Sequence, residues 1–298
     1  MTHLYADGAW LRALDPDGEA PLSVDPWGAT VRVRRFGPGL HDAAGAYPVC
    51  PIRSDADVPA GLAILRAWGL VSVVLVTDVL CGPPAQALAP FDVARPFKKH
   101  WLVDLARPSI SKHHRYEIRR AARACVVDEV RLVDHLDAWN TLYGALVARH
   151  RITGVQAFSR AAFEALARHP SIVTLRAREV DGPVLGMHVF ALGDGTVHSH
   201  LAATSGRGYD LGAGYAIHAA ALERFRGRGL MDLGGAAGLE EEDTGLARFK
   251  AGFASETREA WLCGAVLDPR RYGRLAAGRE GGYFPIYRAP DLARTAAA

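Results

Sequence analysis

The residues best suited to chemistry follow one another in a single stretch of the C-terminal half, at a predicted turn from a strand into a helix. The strand ends in Asp232, a leucine and the pair Gly234 and Gly235, where a ligand can approach the backbone without Cβ atoms in the way. The helix carries Phe249 and Lys250. We therefore expect these residues to form a reaction centre. The alternative is that the lysine is an ordinary cation on a helix surface and that the aspartate only caps the strand end.

A second group of residues consists of cations on one predicted helix. Ser111 can cap a helix that runs to about Cys125, with basic side chains on one face and apolar side chains on the other. The cations of this face and of the segment upstream are Lys98, Lys99, Lys112, Arg115, Arg119, Arg120 and Arg123. Clustered like charges repel, so a phosphate-bearing partner such as RNA would relieve a cost. The alternative is a solvated surface helix.

The whole chain has 298 residues, 49% of them hydrophobic, which is enough for one large domain or two of ordinary size. Its best apolar run, residues 70–80, is too short to span a membrane and contains Asp78. The N-terminus lacks a basic region followed by an apolar stretch, so we expect a cytoplasmic protein. The four cysteines stand far apart, which fits neither a disulfide framework nor a zinc site. The net charge of +3 does not by itself indicate a nucleic-acid binder.

The hydrophobic pattern predicts an α/β fold. Residues 30–34 alternate as a half-buried strand should, residues 59–68 predict a helix, and residues 71–79 predict a buried strand. From residue 134 onward the predicted order is helix, helix, three strands, helix, strand, helix and strand. The three strands form an antiparallel meander, because an Asp-Gly and a Gly-Asp-Gly sequence supply the turns between them.

This order of elements resembles that of a GNAT-type acyltransferase domain. In that superfamily the helix after the meander opens with an Arg/Gln-x-x-Gly-x-Gly/Ala loop, whose amides hold the pyrophosphate of coenzyme A. The corresponding segment begins here at Tyr209, so Gly212 and Gly214 match while a tyrosine replaces the basic first residue. The resemblance implies that these glycines bind the donor and that Arg207 takes over the basic role. The alternative is that they only allow the helix to pack closely on a strand.

Three stretches resemble the Fem family of peptidoglycan-bridge aminoacyltransferases more closely: DLARPSISKHHRYEIRRAAR at residues 104–123, HSHLAATSGRGYDLGAGYAIHAA at residues 198–220, and MDLGGAAGLEEEDTGLARFKAGF at residues 231–253. The last is the most specific, because the family repeatedly shows a strand ending in Asp-x-Gly-Gly and then Phe-Lys on the next helix. The resemblance covers roughly residues 95–290.

The resemblance to the Fem family implies a fold of the α/β class with two GNAT-like (acyl-CoA N-acyltransferase) domains in tandem, each with a mixed central sheet flanked by helices. We place an N-terminal domain on the acceptor side at residues 1–133 and a C-terminal domain on the acyl-donor side at residues 134–298. Enzymes of this family move an aminoacyl group from aminoacyl-tRNA to an amine of a peptide or small molecule, in cell-wall or secondary metabolism.

By this resemblance Lys250 lies at the reaction centre and Phe249 helps to seat the RNA end of the donor. Aminolysis of an ester passes through an oxyanion that a fixed cation stabilises by on the order of 2 to 4 kcal/mol. Asp232 could take a proton from the attacking amine, but family behaviour suggests that the substrate itself can do so, and we assign no general base. The expected co-substrate is aminoacyl-tRNA, or acyl-CoA in the first alternative, with no tightly bound cofactor, no DNA and no membrane span. A second alternative is a non-catalytic RNA-binding module.

The remaining polar clusters predict less. His198 and His200 share a strand face as half of a metal site would, but no third ligand is placed by spacing, and we predict no metal. His218 lies on an apolar helix stripe and is expected to be a core histidine. The acidic run at residues 240–243 is expected to be a solvated loop. Hydrolase, kinase and dehydrogenase motifs are missing from the sequence.

Overall fold

A computed structural model describes residues 3–235 and 245–289 of the chain. The acidic run at residues 240–243 and the alanine-rich end after Asp291 lie outside the described residues. The strands are β1 (Leu22–Val24), β2 (Ala29–Gly37), β3 (Leu40–Ala44), β4 (Ser72–Val76), β5 (Val93–Asp104), β6 (Cys125–Val130), β7 (Ile172–Glu179), β8 (Val184–Leu192), β9 (Val197–Thr204), β10 (Leu230–Gly235) and β11 (Glu256–Val266). The helices are α1 (Gly8–Leu14), α2 (Val58–Ala67), α3 (Lys112–Ala121), α4 (Leu136–His150), α5 (Arg160–Arg168), α6 (Gly206–Leu211), α7 (Ala213–Arg224), α8 (Gly245–Ala251) and α9 (Pro269–Ala276).

The chain divides into two compact units, each assembled from two stretches. Unit 1 consists of residues 1–14 and 98–259, and unit 2 consists of residues 15–97 and 260–298. This division differs from the expected boundary between residues 133 and 134, which falls inside unit 1 between β6 and α4. The reason is that β6 pairs along its whole length with β7, so a cut there would break a ladder.

Unit 1 contains a mixed sheet in the order β5, β10, β9, β8, β7, β6. The strands β7, β8 and β9 form the antiparallel meander that the turn sequences predict. The Ser111 cap, whose hydroxyl oxygen accepts the His114 amide proton at 3.2 Å, also agrees with the prediction. The predicted helix at residues 111–125 is shorter, however, because the β-branched residues that follow Ala124 form β6.

β9 and β10 form the one parallel strand pair among the described strands of unit 1, and these two strands separate toward their C-terminal ends. β9 and β10 are in register at Met231 with Val197 and at Asp232 with His198. Beyond these positions β9 continues to Thr204 and β10 continues to Gly235 without further registered pairs. We name this separation the strand gap. Among the described residues, the last three residues of β10 have no registered partner on β9.

One face of the sheet in unit 1 is covered by α3 and α7, which pack on each other and on the apolar side chains of the strands. The buried residues Phe225, Phe253 and Leu105 belong to this core. α4, α5 and the N-terminal segment belong to the same unit, where α4 contacts β8 and β9. Tyr5 of that segment contacts the rings of His198 and His200.

Unit 2 contains the strands β1, β2, β3, β4 and β11 in that order, with β3 and β4 parallel. One face packs on α2 and on buried Trp27. Over the other face lies Phe284, so close to Gly264 that a Cβ there would come within 2.4 Å of its ring. The pattern of strands and helices confirms the predicted α/β class with mixed sheets flanked by helices. In the described part of the chain no helix combines the length and apolar character that crossing a membrane requires.

Candidate active site

Lys250 lies on α8 and points at the end of β10. Its ammonium group donates a hydrogen bond of 2.6 Å to the carbonyl oxygen of Gly235 and lies 5.9 Å from the centre of the Trp101 ring. The side chain is half-buried, and burial lowers the pKa of the ammonium group to about 8, with Lys98 lowering it further and Asp232 opposing the shift. The lysine is therefore a desolvated cation and not an ordinary side chain on a helix surface.

The two glycines at the end of β10 keep this place open. Gly234 has a φ of +78°, and a Cβ on it would lie 3.4 Å from the Lys250 Nζ atom. A Cβ on Gly235 would lie 3.1 Å from the Lys98 side chain and 3.3 Å from the His100 ring. The ladder between β5 and β10 is irregular between Asp232 and Gly235, as expected where a glycine with positive φ forms a bulge. A larger side chain at either glycine would fill space beside the cation.

Asp232 is buried and uses both carboxylate oxygens. One accepts a 2.6 Å hydrogen bond from the Gly234 amide, which fixes the bulge, and the other lies 2.8 Å from Nδ1 of His100. Asp232 pairs with Leu102 across the ladder, so it shares a sheet face with His100, two residues away along β5. Asp232 thus caps the strand end, which is one of the alternatives that the sequence leaves open. It also positions His100, which the sequence alone does not connect to it.

Phe249 belongs to an aromatic cluster on the other sheet face, between α3, α7 and α8. Its ring centre lies 4.9 Å from that of Tyr215, 4.8 Å from that of His218 and 5.3 Å from that of Phe253. His218 donates from Nδ1 to the Gly214 carbonyl at 3.0 Å, and burial lowers its pKa to about 4. The cluster holds α8 in place, and His218 lies in it as a neutral core histidine.

His114 connects the basic helix α3 to α8. Its Nε2 donates to the carbonyl oxygen of Phe249 at 2.8 Å, so its Nδ1 accepts the proton of the Ser111 hydroxyl at 3.0 Å. Burial lowers the pKa of this ring below the usual value for histidine. A Cβ on Gly252 would come within 2.1 Å of the ring, so only glycine permits this contact. The helix that carries the cations is thereby fastened to the helix that carries Lys250.

The cations predicted on α3 occupy one exposed face. Lys112, Arg115, Arg119 and Arg123 are exposed, and in the described part of the chain none of them has a carboxylate partner. Tyr116 lies among them, one helical turn from Lys112, and its side chain is 58% exposed. An exposed aromatic ring surrounded by cations is a place where a nucleic-acid base can stack. Sequence reasoning missed Tyr116 because only the charges of this face were considered.

The glycine loop before α7 differs from its prediction. The expected loop begins at Tyr209, but Tyr209 to Leu211 form the end of α6, and Gly212 with a φ of +75° separates α6 from α7. Arg207 does not turn toward this loop but pairs with Glu179 at 3.1 Å. Arg120 of α3 lies there instead, because it donates to the Asp210 carbonyl at 3.1 Å and its Nη2 lies 3.5 Å from where a Cβ of Gly212 would be.

The remaining predicted residues fall at two places. Lys98 lies beside Gly235 and Lys250 and not on the face of α3, whereas Lys99 occupies the opposite face of β5. His198 and His200 are buried against the N-terminal segment, where His200 Nδ1 lies 3.1 Å from the Tyr5 hydroxyl. The structure therefore brings together Lys98, Asp232, Gly234, Gly235, Phe249 and Lys250, and adds His100.

Residues 112–251, which span α3 to α8, match the family model described as an acetyltransferase (GNAT) domain. No curated protein sequence matches the chain. Among solved structures, FemX is 11% identical with a TM-score of 0.67, covering 92% of this chain and 95% of that one. The structure of L-PGS from Bacillus licheniformis is 13% identical with a TM-score of 0.59, covering 88% of this chain and 92% of that one.

A third similar structure is the C-terminal domain of a putative lysylphosphatidylglycerol synthetase from Agrobacterium fabrum. It is 15% identical with a TM-score of 0.58, and the alignment covers 90% of both chains. At such low identity these likenesses define the fold alone, and they confirm the predicted resemblance to the Fem-type fold. The family model and the fold together support an acyltransferase.

Proposed function

We propose that the protein forms an amide by moving an aminoacyl group from aminoacyl-tRNA to the amine of a small-molecule or peptide acceptor. The observation that carries the proposal is the desolvated ammonium group of Lys250 beside the open glycines of β10, inside a GNAT domain. Charged tRNA acts as a co-substrate, and the reaction needs no tightly bound cofactor.

Lys250 supplies the electrostatic part of the reaction. When an amine attacks the ester carbonyl, negative charge develops on the carbonyl oxygen, and a cation in a desolvated site stabilises that charge strongly. With a pKa of about 8 the lysine remains mostly protonated at neutral pH. Its ammonium group has three protons, and within the part of the chain that the structure describes one of them is donated, to the Gly235 carbonyl, so others remain for an oxyanion.

A continuous series of contacts leads from the basic face to this cation. Arg120 lies beside Gly212, and a Cβ on Gly214 would lie 3.7 Å from the Phe249 ring, next to Lys250. A donor whose phosphates lie along α3 and the N-terminus of α7 would therefore bring its acyl end to the end of β10. This is the arrangement that a carrier with a phosphate backbone and an esterified end requires.

The length of the basic face favours RNA as the carrier. The two phosphates of a coenzyme A pyrophosphate can be held by the start of α7 and one arginine, whereas α3 adds four exposed cations and an exposed tyrosine. Nucleic-acid binding gains from each cation that releases a counterion and from each ring on which a base stacks. Acyl-CoA remains the second candidate, because Arg120 beside the N-terminus of α7 suits a pyrophosphate.

The experiment uses a tRNA pool charged with radiolabelled amino acids, a panel of amine acceptors and the purified protein. We expect labelled amide product, its loss when the charged pool is first treated with RNase, and its loss in Lys250→Ala. Product that survives RNase would refute the tRNA donor, and release of free coenzyme A from an acyl-CoA pool would then establish the second candidate. An RNA-binding module without activity would give no product and would bind RNA equally well in Lys250→Ala.

A further inference from the structure

We propose that His100, held by Asp232, is the general base that removes the proton from the attacking amine. The inference rests on the proposed acyl transfer, and it applies to an ester or a thioester donor alike. It assigns the role of general base, which the sequence alone leaves without a residue. The geometry that supports it lies entirely within unit 1.

The two side chains form a hydrogen-bonded dyad. His100 Nδ1 lies 2.8 Å from an oxygen of Asp232, and the other oxygen is occupied by the Gly234 amide. Because a carboxylate only accepts hydrogen bonds, Nδ1 carries the proton and Nε2 keeps its lone pair. His100 is 5% exposed and Asp232 is 3% exposed, so both have given up water for this contact. Within the described residues no group donates to Nε2, which leaves this nitrogen available to a substrate.

The dyad borders the opening that a substrate needs. A Cβ on Gly235 would lie 3.3 Å from Cδ2 of His100, the ring carbon bonded to Nε2, so the missing side chain exposes this edge of the ring. Asp232 is the last residue of β10 in register with β9, and the strand gap begins immediately after it. Nε2 of His100 therefore lies on the edge of the ring that faces the end of β10.

His100 and Lys250 approach this end from opposite faces of the sheet. Lys250 lies over the ring of Trp101. Trp101 follows His100 directly in β5, so their side chains lie on opposite faces of the sheet. Asp232 and Lys98 both act on the pKa of Lys250, so the dyad and the cation share one electrostatic environment. A donor that arrives past Phe249 and an amine that arrives on the His100 face would meet at the strand gap.

The proton balance of the reaction is complete with these groups. The amine nitrogen forms a bond to the carbonyl carbon, the carbonyl electron pair moves to oxygen, and Lys250 stabilises the resulting charge. His100 Nε2 takes the proton from the nitrogen, and Asp232 stabilises the imidazolium. The bond from carbon to the leaving oxygen then breaks, and the proton passes from Nε2 to that oxygen, which restores the neutral histidine.

The tautomer of His100 can be tested without any substrate. Long-range ¹H–¹⁵N spectra of the wild type, compared with those of His100→Gln to assign the signal, should show a ring protonated at Nδ1 and bare at Nε2. A ring protonated at Nε2 would overturn the proposal, because it could not accept a proton there.

The catalytic role is tested by single-turnover acyl transfer from the charged tRNA pool. His100→Gln should lower the rate by about 10² to 10⁴, the usual contribution of a general base, and added imidazole should restore part of the rate of His100→Ala. His169→Gln is the matched control, because the His169 side chain is also largely buried and also bonds through Nδ1, to Ser171 at the end of α5. Full activity of His100→Gln would refute the base, while the loss of activity in Lys250→Ala would still support acyl transfer.

Discussion

Replacement of Lys250 by methionine should make the protein more stable and much less active at the same time. Burial lowers the pKa of this lysine from 10.5 to about 8, and a tenfold change in an acid dissociation constant corresponds to about 1.36 kcal/mol. The charged form is thus disfavoured by about 3 kcal/mol in the folded protein relative to the unfolded chain at neutral pH. Methionine fills similar space without charge, so most of this cost should disappear.

The sign of the pH dependence distinguishes this origin from a simple packing effect. Between pH 8 and 10.5 the unfolded chain holds the lysine proton and the folded protein does not, so the stability of the wild type rises across this window. The advantage of Lys250→Met should therefore be largest below pH 8 and should shrink toward zero above pH 10.5. The hydrogen bond to Gly235 that is lost makes about 3 kcal/mol an upper value.

The assay is urea unfolding at a series of pH values, followed by circular dichroism, together with single-turnover acyl transfer. Lys112→Met is the control for stability, because Lys112 is an exposed helix residue and should change the unfolding free energy by no more than about 0.5 kcal/mol. The rate of Lys250→Met should fall by roughly 10² to 10³, equivalent to 2 to 4 kcal/mol. A Lys250→Met variant that is fully active and whose unfolding free energy changes no more than that of Lys112→Met would show that Lys250 is an ordinary surface lysine.

Three further predictions concern other parts of the molecule. Tyr116→Ala should weaken binding of a single-stranded RNA about tenfold, measured by fluorescence anisotropy, without changing the slope of log affinity against log salt. Arg119→Ala should reduce that slope by about 0.7. Equal slopes for the two variants would contradict base stacking by Tyr116. Gly252→Ala places a Cβ on the His114 ring and should destabilise the fold by about 1 to 3 kcal/mol in urea unfolding, and an unchanged midpoint would contradict the contact. Asp42→Asn removes a carboxylate that two arginines share and should lower the free energy of unfolding by about 3 to 5 kcal/mol. A decrease no larger than that caused by replacing an exposed aspartate would contradict the burial of this ion pair.

Much of unit 1 follows from local pattern. The meander is predictable because the Asp-Gly and Gly-Asp-Gly turns act over a few residues, and Ser111 indicates the start of α3 in the same way. β6 is harder to find, because the preceding helix could continue and only pairing with β7, across more than 40 residues, selects the strand. The helix α6 before Gly212 is hard to find for a similar reason, since the positive φ of Gly212 that separates it from α7 depends on the neighbouring elements.

The candidate site divides along the same line. Lys250 and Gly235 are only 15 residues apart, so their contact could be expected from one stretch of sequence. His100 and Asp232 are 132 residues apart, and nothing in the local pattern around either residue connects them. The pairing of β5 with β10 brings them to one face of the sheet. A general base that depends on a long-range residue pair therefore cannot be predicted from a local sequence motif, whereas a cation within a short motif can.

Two charged groups of this protein, buried Asp42 and half-buried Lys250, show why the end of β10 differs from a structural ion pair. In unit 2 the carboxylate of Asp42 is fully buried and accepts four hydrogen bonds, from Arg34, twice from Arg288 and from Tyr287. The hydrogen bonds that the Asp42 carboxylate accepts thus come from the protein itself, which a buried charge requires in order to be stable. In unit 1 the ammonium group of Lys250 is desolvated, yet among the described residues it donates one hydrogen bond, to the Gly235 carbonyl beside two glycines. A desolvated cation with donors to spare is costly for folding and useful for stabilising an oxyanion, which argues that this site is shaped by a reaction.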